Sequence, residues 1–241
     1  DTIAPIIRGL LSKNANYVLN FRSNNKLMDI IDSRDARKFL AKGVVTPDHV
    51  IRIKPKILVI NINNCKSVSS LEKIISKKIS DYSLSYKKYF NKYNIPKKQN
   101  KMLDPVPKII AIQNMGLFSA GKSLSDSKVN GDVAEMAIKS IGNIERRSAF
   151  QSIKMKDIFD VEYWSLEQAK LGKSSLPLMG KITIITGGVG TIGLAIARKF
   201  KKMGSEVILV DLNRNQLKNS EIINEFNVQY CDVTKRLEFK R

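Results

Sequence analysis

Histidine, cysteine and tryptophan are nearly absent from this chain: one histidine, two cysteines and one tryptophan among 241 residues. Two thiols, Cys65 and Cys231, cannot build a disulfide framework, and they form no Cys-x-x-Cys pair. A reducing, cytoplasmic setting is therefore expected. A single histidine excludes any metal site made of histidines alone. No apolar run approaches the ~18–20 residues that a membrane span needs, and Asp1–Gly9 has no basic segment followed by an apolar block, so neither a span nor a signal peptide is read. Acidic residues are also scarce, 22 against 42 Lys and Arg, which leaves a net charge of +20. A hydrophobic fraction of 43% still suffices for a core, so wholesale disorder is excluded.

An excess of positive charge this large raises nucleic acid as a partner. Arginine, which does most bidentate phosphate and base recognition, supplies only 11 of the 42 cations. The densest patch, Lys87, Lys88, Lys92, Lys97, Lys98 and Lys101, is interleaved with Tyr82, Tyr86, Tyr89, Phe90 and Tyr93. The 82/86/89/93 spacing is that of a helix with an inward aromatic face and a solvated lysine face, and that reading outweighs a stacking surface for single strands. A nucleic-acid module is kept only as an alternative, and no nucleic acid and no membrane are expected among the partners.

Periodicity predicts a helix over 26–42 stopped by Gly43, a turn through Pro47, a strand over 57–62 and a helix over 71–92. Then come a proline-bearing loop over 94–107, a short strand over 108–113 and a glycine-bearing turn over 116–123. A long helix follows over 124–147, with Ser125 or Asp126 as its N-cap. Residues 157–171 read as amphipathic and 172–177 as a linker. After Lys181 the pattern changes to a buried strand (182–185), a glycine turn (187–193), a helix (192–203) ended by Gly204, and a second buried strand (207–210) closed by Asp211. That order is the sequence form of a parallel βαβ unit. The fold class is α/β throughout, and the expected division is 1–150, a helical linker over 151–178, and 179–241.

Gly188-Val-Gly190-Thr-Ile-Gly193 matches the dinucleotide fingerprint G-x-G-x-x-G, and Asp211 stands 18 residues after Gly193, near the ~20 expected. Gly188 is assigned the tight turn, Gly190 the close approach of backbone to a pyrophosphate, and Gly193 the packing of helix on strand. Asp211 would accept hydrogen bonds from the adenosine ribose and repel a 2′-phosphate, which favours NAD over NADP. Gly116-Leu-Phe-Ser-Ala-Gly121-Lys122-Ser123 satisfies the P-loop pattern G-x-x-x-x-G-K-[ST]. Bulky Leu117 and Phe118 argue against an open anion nest, and a P-loop nucleotide hydrolase is kept as a second alternative. Tyr93-Asn-Ile-Pro-Lys97 spells a catalytic Tyr-x-x-x-Lys, but Pro96 breaks the helix that would hold the pair on one face, so it is rejected.

Two resemblances sharpen these readings. Ile185-Thr186-Gly187-Gly188-Val-Gly190-Thr-Ile192-Gly193 resembles the cofactor loop of short-chain dehydrogenases/reductases, in the T-G-x-x-G-x-x-G variant of extended members. The resemblance adds Thr186, Gly187, Ile192 and Leu212 to the NAD-binding set, and Asp232 and Val233 as the dipeptide that touches adenine. It implies a catalytic Ser and Tyr-x-x-x-Lys for which the stretch after Gly180 is too short, so no catalytic residue is assigned. Upstream, Arg8-Gly9-Leu-Leu-Ser12, Ser33-Arg34-Asp35-Ala36, Gly43-Val-Val-Thr-Pro-Asp-His49-Val-Ile-Arg52-Ile-Lys54-Pro55, Gly116-Leu-Phe118 and Phe159–Leu171 together resemble bifunctional aldolase/short-chain dehydrogenases of the rhamnulose-1-phosphate aldolase/lactaldehyde dehydrogenase kind. The resemblance implies a fragment. It would hold the C-terminal portion of a class II aldolase-like α/β domain, followed by the first half of a Rossmann doubly wound parallel sheet.

The implied chemistry is retro-aldol cleavage on a zinc or other divalent ion, with oxidation of the released aldehyde by NAD. Sugar-phosphate and aldehyde substrates and a homo-oligomer are the implied partners. His49 is the candidate metal ligand on this resemblance. Read by itself, it is equally a turn residue bonded to Asp48 or to backbone. Arg52 and Lys54 could face a substrate phosphate, but read first as surface charges.

Overall fold

The computed structural model describes residues 2–63, 65, 67–95, 100–171 and 176–236. Lys97 and Lys98, and Gly172–Ser175 of the expected linker, lie outside them. The chain divides into two compact units, 1–174 and 175–241. Among the described residues no helix is long and apolar enough to cross a membrane.

The first unit is built on a four-stranded sheet. Its elements, in chain order, are α1 (Ile3–Leu11), β1 (Val18–Arg22), α2 (Asn25–Ile31), α3 (Ala36–Phe39), α4 (Pro47–Ile53), β2 (Leu58–Ile60), α5 (Val68–Tyr93), β3 (Ile109–Ile112), β4 (Gly116–Gly121), α6 (Leu124–Glu145), α7 (Met155–Glu162) and α8 (Ser165–Ala169). The strand order is β1-β4-β3-β2, with β2 and β3 parallel and the other pairs antiparallel. Strand residues alternate between two cores. Ile109, Ala111 and Leu117 meet α2, α3 and α6 on one face; Ile110, Ile112, Phe118 and Ala120 meet α1 and α5 on the other. Both faces of the sheet are thus covered, which is why β3 reads as an unbroken apolar run.

Several local expectations change. Residues 26–42 are two helices, because Asp32 caps α2 and the Ser33 hydroxyl donates to the Ile30 carbonyl. Pro47 opens α4 as its first residue instead of turning the chain, since its missing N–H needs no acceptor there. Ser123 is the N-cap of α6, accepting from the Asp126 amide at 3.1 Å. Residues 116–121 are strand β4, flanked by β1 and β3, instead of a turn. This removes the P-loop: its backbone amides sit in a sheet, the Lys122 amide donates to the Asp126 carboxylate, and the Ser123 hydroxyl is engaged in the cap.

The aromatic spacing on α5 behaves as a helix face. Tyr86 and Phe90 are buried, while Lys87, Lys88 and Lys92 are exposed. Within the stretch expected as a helical linker, α7 packs into the first unit, with Ile158, Phe159 and Glu162 fully buried. Lys54 is not a surface charge; it is 4% exposed.

The second unit contains β5 (Ile182–Thr186), α9 (Thr191–Lys202), β6 (Glu206–Asp211), α10 (Ser220–Glu225) and β7 (Asn227–Tyr230). The sheet is parallel throughout, in the order β5-β6-β7. Val207 and Leu209 of β6 pack with Leu194, Ala197 and Phe200 of α9 and with Ile222 of α10. Ile182–Ile185 is not a buried strand here: Ile182 and Ile184 are 40% and 55% exposed, because the described helices cover only the face that carries Ile185. Gly204 ends α9 with φ +94°, the left-handed conformation a helix C′ position takes.

Candidate cofactor-binding site

The loop between β5 and α9 sits at the carboxyl ends of the parallel strands, where open α/β sheets bind ligands. Its glycines have separate physical reasons. Gly187 holds φ +64°, so it makes the turn that the sequence assigned to Gly188. A Cβ on Gly188 would lie 2.7 Å from the Ile185 carbonyl oxygen, and one on Gly193 would lie 2.3 Å from the Gly187 carbonyl oxygen. Gly193 therefore lets α9 close on the loop itself rather than on the strand. Gly190 is different: a Cβ there would meet only the Gly187 oxygen, at an ordinary 3.4 Å, and its φ is −73°. Among the described residues nothing requires glycine at 190.

Gly190 is also the N-cap of α9, with no side chain to cap it. The first-turn amides of a helix have no intrahelical acceptor, and the helix dipole places partial positive charge there. An uncapped end of this kind is suited to an anion.

Asp211 ends β6 beside this loop. Its Oδ2 accepts from the Val189 amide at 3.2 Å, and its Oδ1 accepts from the amides of Leu212 at 2.7 Å and Asn213 at 3.1 Å. The carboxylate thus holds the glycine loop. Asp232 is committed locally: its Oδ1 accepts from the Thr234 amide and hydroxyl, and these bonds hold its carboxyl below the usual range. Ile192, Leu212 and Val233 are 77%, 56% and 46% exposed. Parallel pairing puts Thr186 level with Val210 and Asp211 level with Tyr230. The Arg214 guanidinium stacks 4.0 Å from the Tyr230 ring centroid, a contact that the sequence reading did not anticipate. These residues fit a dinucleotide, which would lay its pyrophosphate on the α9 amides.

His49 does not fit a metal. It is completely buried, its Nδ1 accepts from the Val45 amide at 3.3 Å, and Nε2 therefore carries the proton and has no hydrogen-bond partner among the described residues. Its neighbours in sequence, Val44, Val50 and Ile51, form an apolar cluster with Ile158. Burial pulls its pKa down. No group of three or more His, Cys, Asp or Glu that could hold a metal ion occurs among the described residues. Of the two readings open at the sequence level, the bond to backbone is the one the geometry shows, with His49 in the first turn of α4 and not in a connecting turn.

The class II aldolase second-domain family matches residues 1–171, and the short-chain dehydrogenase family matches residues 181–241. The chain belongs to the class II aldolase second-domain family. It carries a short-chain dehydrogenase segment after that domain, as the two resemblances implied. It is 29% identical over 214 residues to the uncharacterized oxidoreductase YuxG of Bacillus subtilis (strain 168), covering 88% of this chain and 31% of that protein. It is 38% identical over 68 residues to short-chain dehydrogenase reductase 3c of Arabidopsis thaliana, covering 27% of this chain and 26% of that one. The chain thus spans under a third of the length of either relative. Among solved structures, YgbL of Klebsiella pneumoniae aligns with a TM-score of 0.46 at 12% identity, over 67% of this chain and 65% of its own.

Proposed function

We propose that this chain is part of a bifunctional enzyme. Its second unit would bind NAD for oxidation of an aldehyde, and its first would belong to the aldolase that releases that aldehyde from a sugar phosphate. Rhamnulose 1-phosphate and lactaldehyde are the substrate pair this reading favours, from the strings shared with that family. The observation that carries the cofactor half is Gly190. It is a glycine that the fold does not need, at the uncapped N-terminus of α9, next to an acid at the end of the neighbouring parallel strand. A diphosphate passing over the α9 amides accounts for it, because a side chain at 190 would stand in the path of that ligand.

Bound NAD would supply the hydride acceptor. This chain's residues would hold it: the loop amides on the pyrophosphate, Asp211 on the adenosine ribose, and Leu212, Asp232 and Val233 about the adenine. A metal that polarises the aldolase substrate is part of the proposed reaction, but His49 does not hold it in this geometry.

Titration of this chain with NADH, followed by calorimetry, tests the reading. The expected result is saturable binding that Gly190→Val abolishes while the far-ultraviolet circular dichroism is unchanged. Equal NADH affinity in Gly190→Val would sink it. Cleavage of rhamnulose 1-phosphate by the longer polypeptide that contains this stretch tests the substrate.

A further inference from the structure

In the first unit, α2, the turn that follows it, and the C-terminal end of α6 enclose a cleft of about 250 Å³. The buried side chains of Ile30 and Phe39 form its floor. A Cβ on Gly142 would lie 2.7 Å from Ile30 Cγ2, so glycine there lets α2 press directly against α6 at the floor. The charged lining is Asp29, Arg34, Asp35, Glu145 and Arg146.

Two of the three acids are already satisfied within the chain. Asp35 is paired with the Lys38 ammonium at 2.8 Å. Glu145 accepts from the Lys42 ammonium and from the Phe150 amide. These bonds hold both carboxyls below the usual range. The two arginines are different: neither guanidinium has an ion-pair or hydrogen-bond partner among the described residues, and the Asp29 carboxylate has none either. The free charges lining the cleft are therefore two guanidiniums and one carboxylate.

Both arginines stand on fixed backbone. The Ser33 amide and hydroxyl donate to the Ile30 carbonyl, and the Ala36 amide donates to the Ser33 carbonyl, which closes the turn that carries Arg34. Arg146 caps α6 in helical geometry, at φ −72°, ψ −20°. The negative end of α6 does not cancel these cations. The Gly142 carbonyl accepts from the Arg146 amide, and the Ile144 carbonyl from the Arg147 and Ser148 amides, so little of that end is bare.

We propose that this cleft binds a small phosphorylated polyol of the size of glycerol 3-phosphate, with its phosphate on Arg34 and Arg146 and a hydroxyl on Asp29. A phosphate monoester carries about −1.5 to −2 charge near neutral pH, and its oxygens match the paired donors of a planar guanidinium. Asp29 repels a bare phosphate but accepts a hydrogen bond from a hydroxyl, which selects the polyol ester over the inorganic ion. The cleft is smaller than the ~300–1,000 Å³ that a drug-sized ligand fills, and it suits a molecule of about ten heavy atoms. The proposal rests on neither the cofactor reading of the second unit nor a metal in the first.

Calorimetric titration of the wild-type chain with glycerol 3-phosphate, inorganic phosphate and glycerol tests this, at one ionic strength so that general attraction to a chain of charge +20 is held constant. Glycerol 3-phosphate should bind saturably, inorganic phosphate several-fold more weakly, and glycerol not at all. Arg34→Gln and Arg146→Gln should each weaken glycerol 3-phosphate about tenfold. Arg147→Gln, one residue on and outside the cleft, should leave it unchanged. Asp29→Asn should tighten inorganic phosphate and so remove the preference. Equal weakening in Arg147→Gln would reveal a diffuse charge effect and overturn the site, as would the absence of saturable binding. Binding that survives both cleft variants and is displaced by NADH would lie at the N-terminus of α9 and overturn it too. Inorganic phosphate binding as tightly as glycerol 3-phosphate to the wild type would overturn the polyol assignment.

Discussion

The carboxylate of Asp211 accepts a hydrogen bond from the Val189 amide at 3.2 Å, tying the end of β6 to the glycine loop. Its other oxygen is held by the Leu212 and Asn213 amides, so the side chain is fixed before any ligand arrives. Asp211→Ala should therefore do two things. It should weaken NADH about tenfold, ~1.4 kcal/mol, and it should raise NADPH affinity relative to NADH by removing the charge that repels a 2′-phosphate. Calorimetric titration with both cofactors measures the pair. A variant that loses NADH affinity with no change in the ratio would show Asp211 to be a loop tether only.

Two glycines three residues apart should answer alanine in opposite ways. A Cβ on Gly193 would sit 2.3 Å from the Gly187 carbonyl oxygen, a backbone atom that cannot step aside. Gly193→Ala should cost about 2 kcal/mol or more in urea unfolding of the second unit. Gly190→Ala should stay within about 0.5 kcal/mol of wild type while weakening the cofactor. Equal stability loss at both positions would place the need for Gly190 inside the fold and remove the main support for the dinucleotide reading.

How far the sequence carried this differs between the units. In the second unit the apolar runs, the glycine spacing and the terminal acid each have one local cause, and β5, α9 and β6 appear within a residue of their expected places. The division of labour between Gly187 and Gly188 was not legible, because it depends on which carbonyl the turn presses against. In the first unit Gly116–Gly121 spelled a phosphate loop, yet β1, which the sequence reading did not find, and β3 pair with it as a central strand. Pairing between Val18–Arg22 and residues a hundred positions later leaves no local signal. Lys54 was misplaced for the same reason: its partners Tyr86 and Glu162 come from α5 and α7, far along the chain.

His49 should register as an acid-sensitive residue rather than a metal ligand. Burial lowers its folded pKa below the unfolded value of about 6.5, so the unfolded chain binds more protons between the two. Stability contributed by neutral His49 is present above pH 6.5 and is lost as the pH falls toward the lowered folded value. Thermal unfolding at pH 7 and at pH 5 should show a drop in Tm that His49→Gln reduces, while added EDTA leaves Tm unchanged at both. An EDTA-dependent fall in Tm that disappears in His49→Gln would restore the metal.

Lys54 should make the first unit more stable in base. Its folded pKa, pushed by burial to about 8, lies below the ordinary value of 10.5, so the unfolded chain binds the extra proton between these limits. Stability then rises with pH across that window, the reverse of what a well-made lysine ion pair gives. Lys108, lowered by burial to about 7, adds to the rise from its lower side. Urea unfolding at pH 7, 8.5 and 10 should show a rising midpoint. Lys54→Met should raise the midpoint at pH 7 relative to wild type, because no ammonium has to be desolvated, and should flatten the upper part of the rise. A midpoint that falls between pH 8.5 and 10 in the wild type and stays level in Lys54→Met would mean that Lys54 is charged and stabilising in the folded protein.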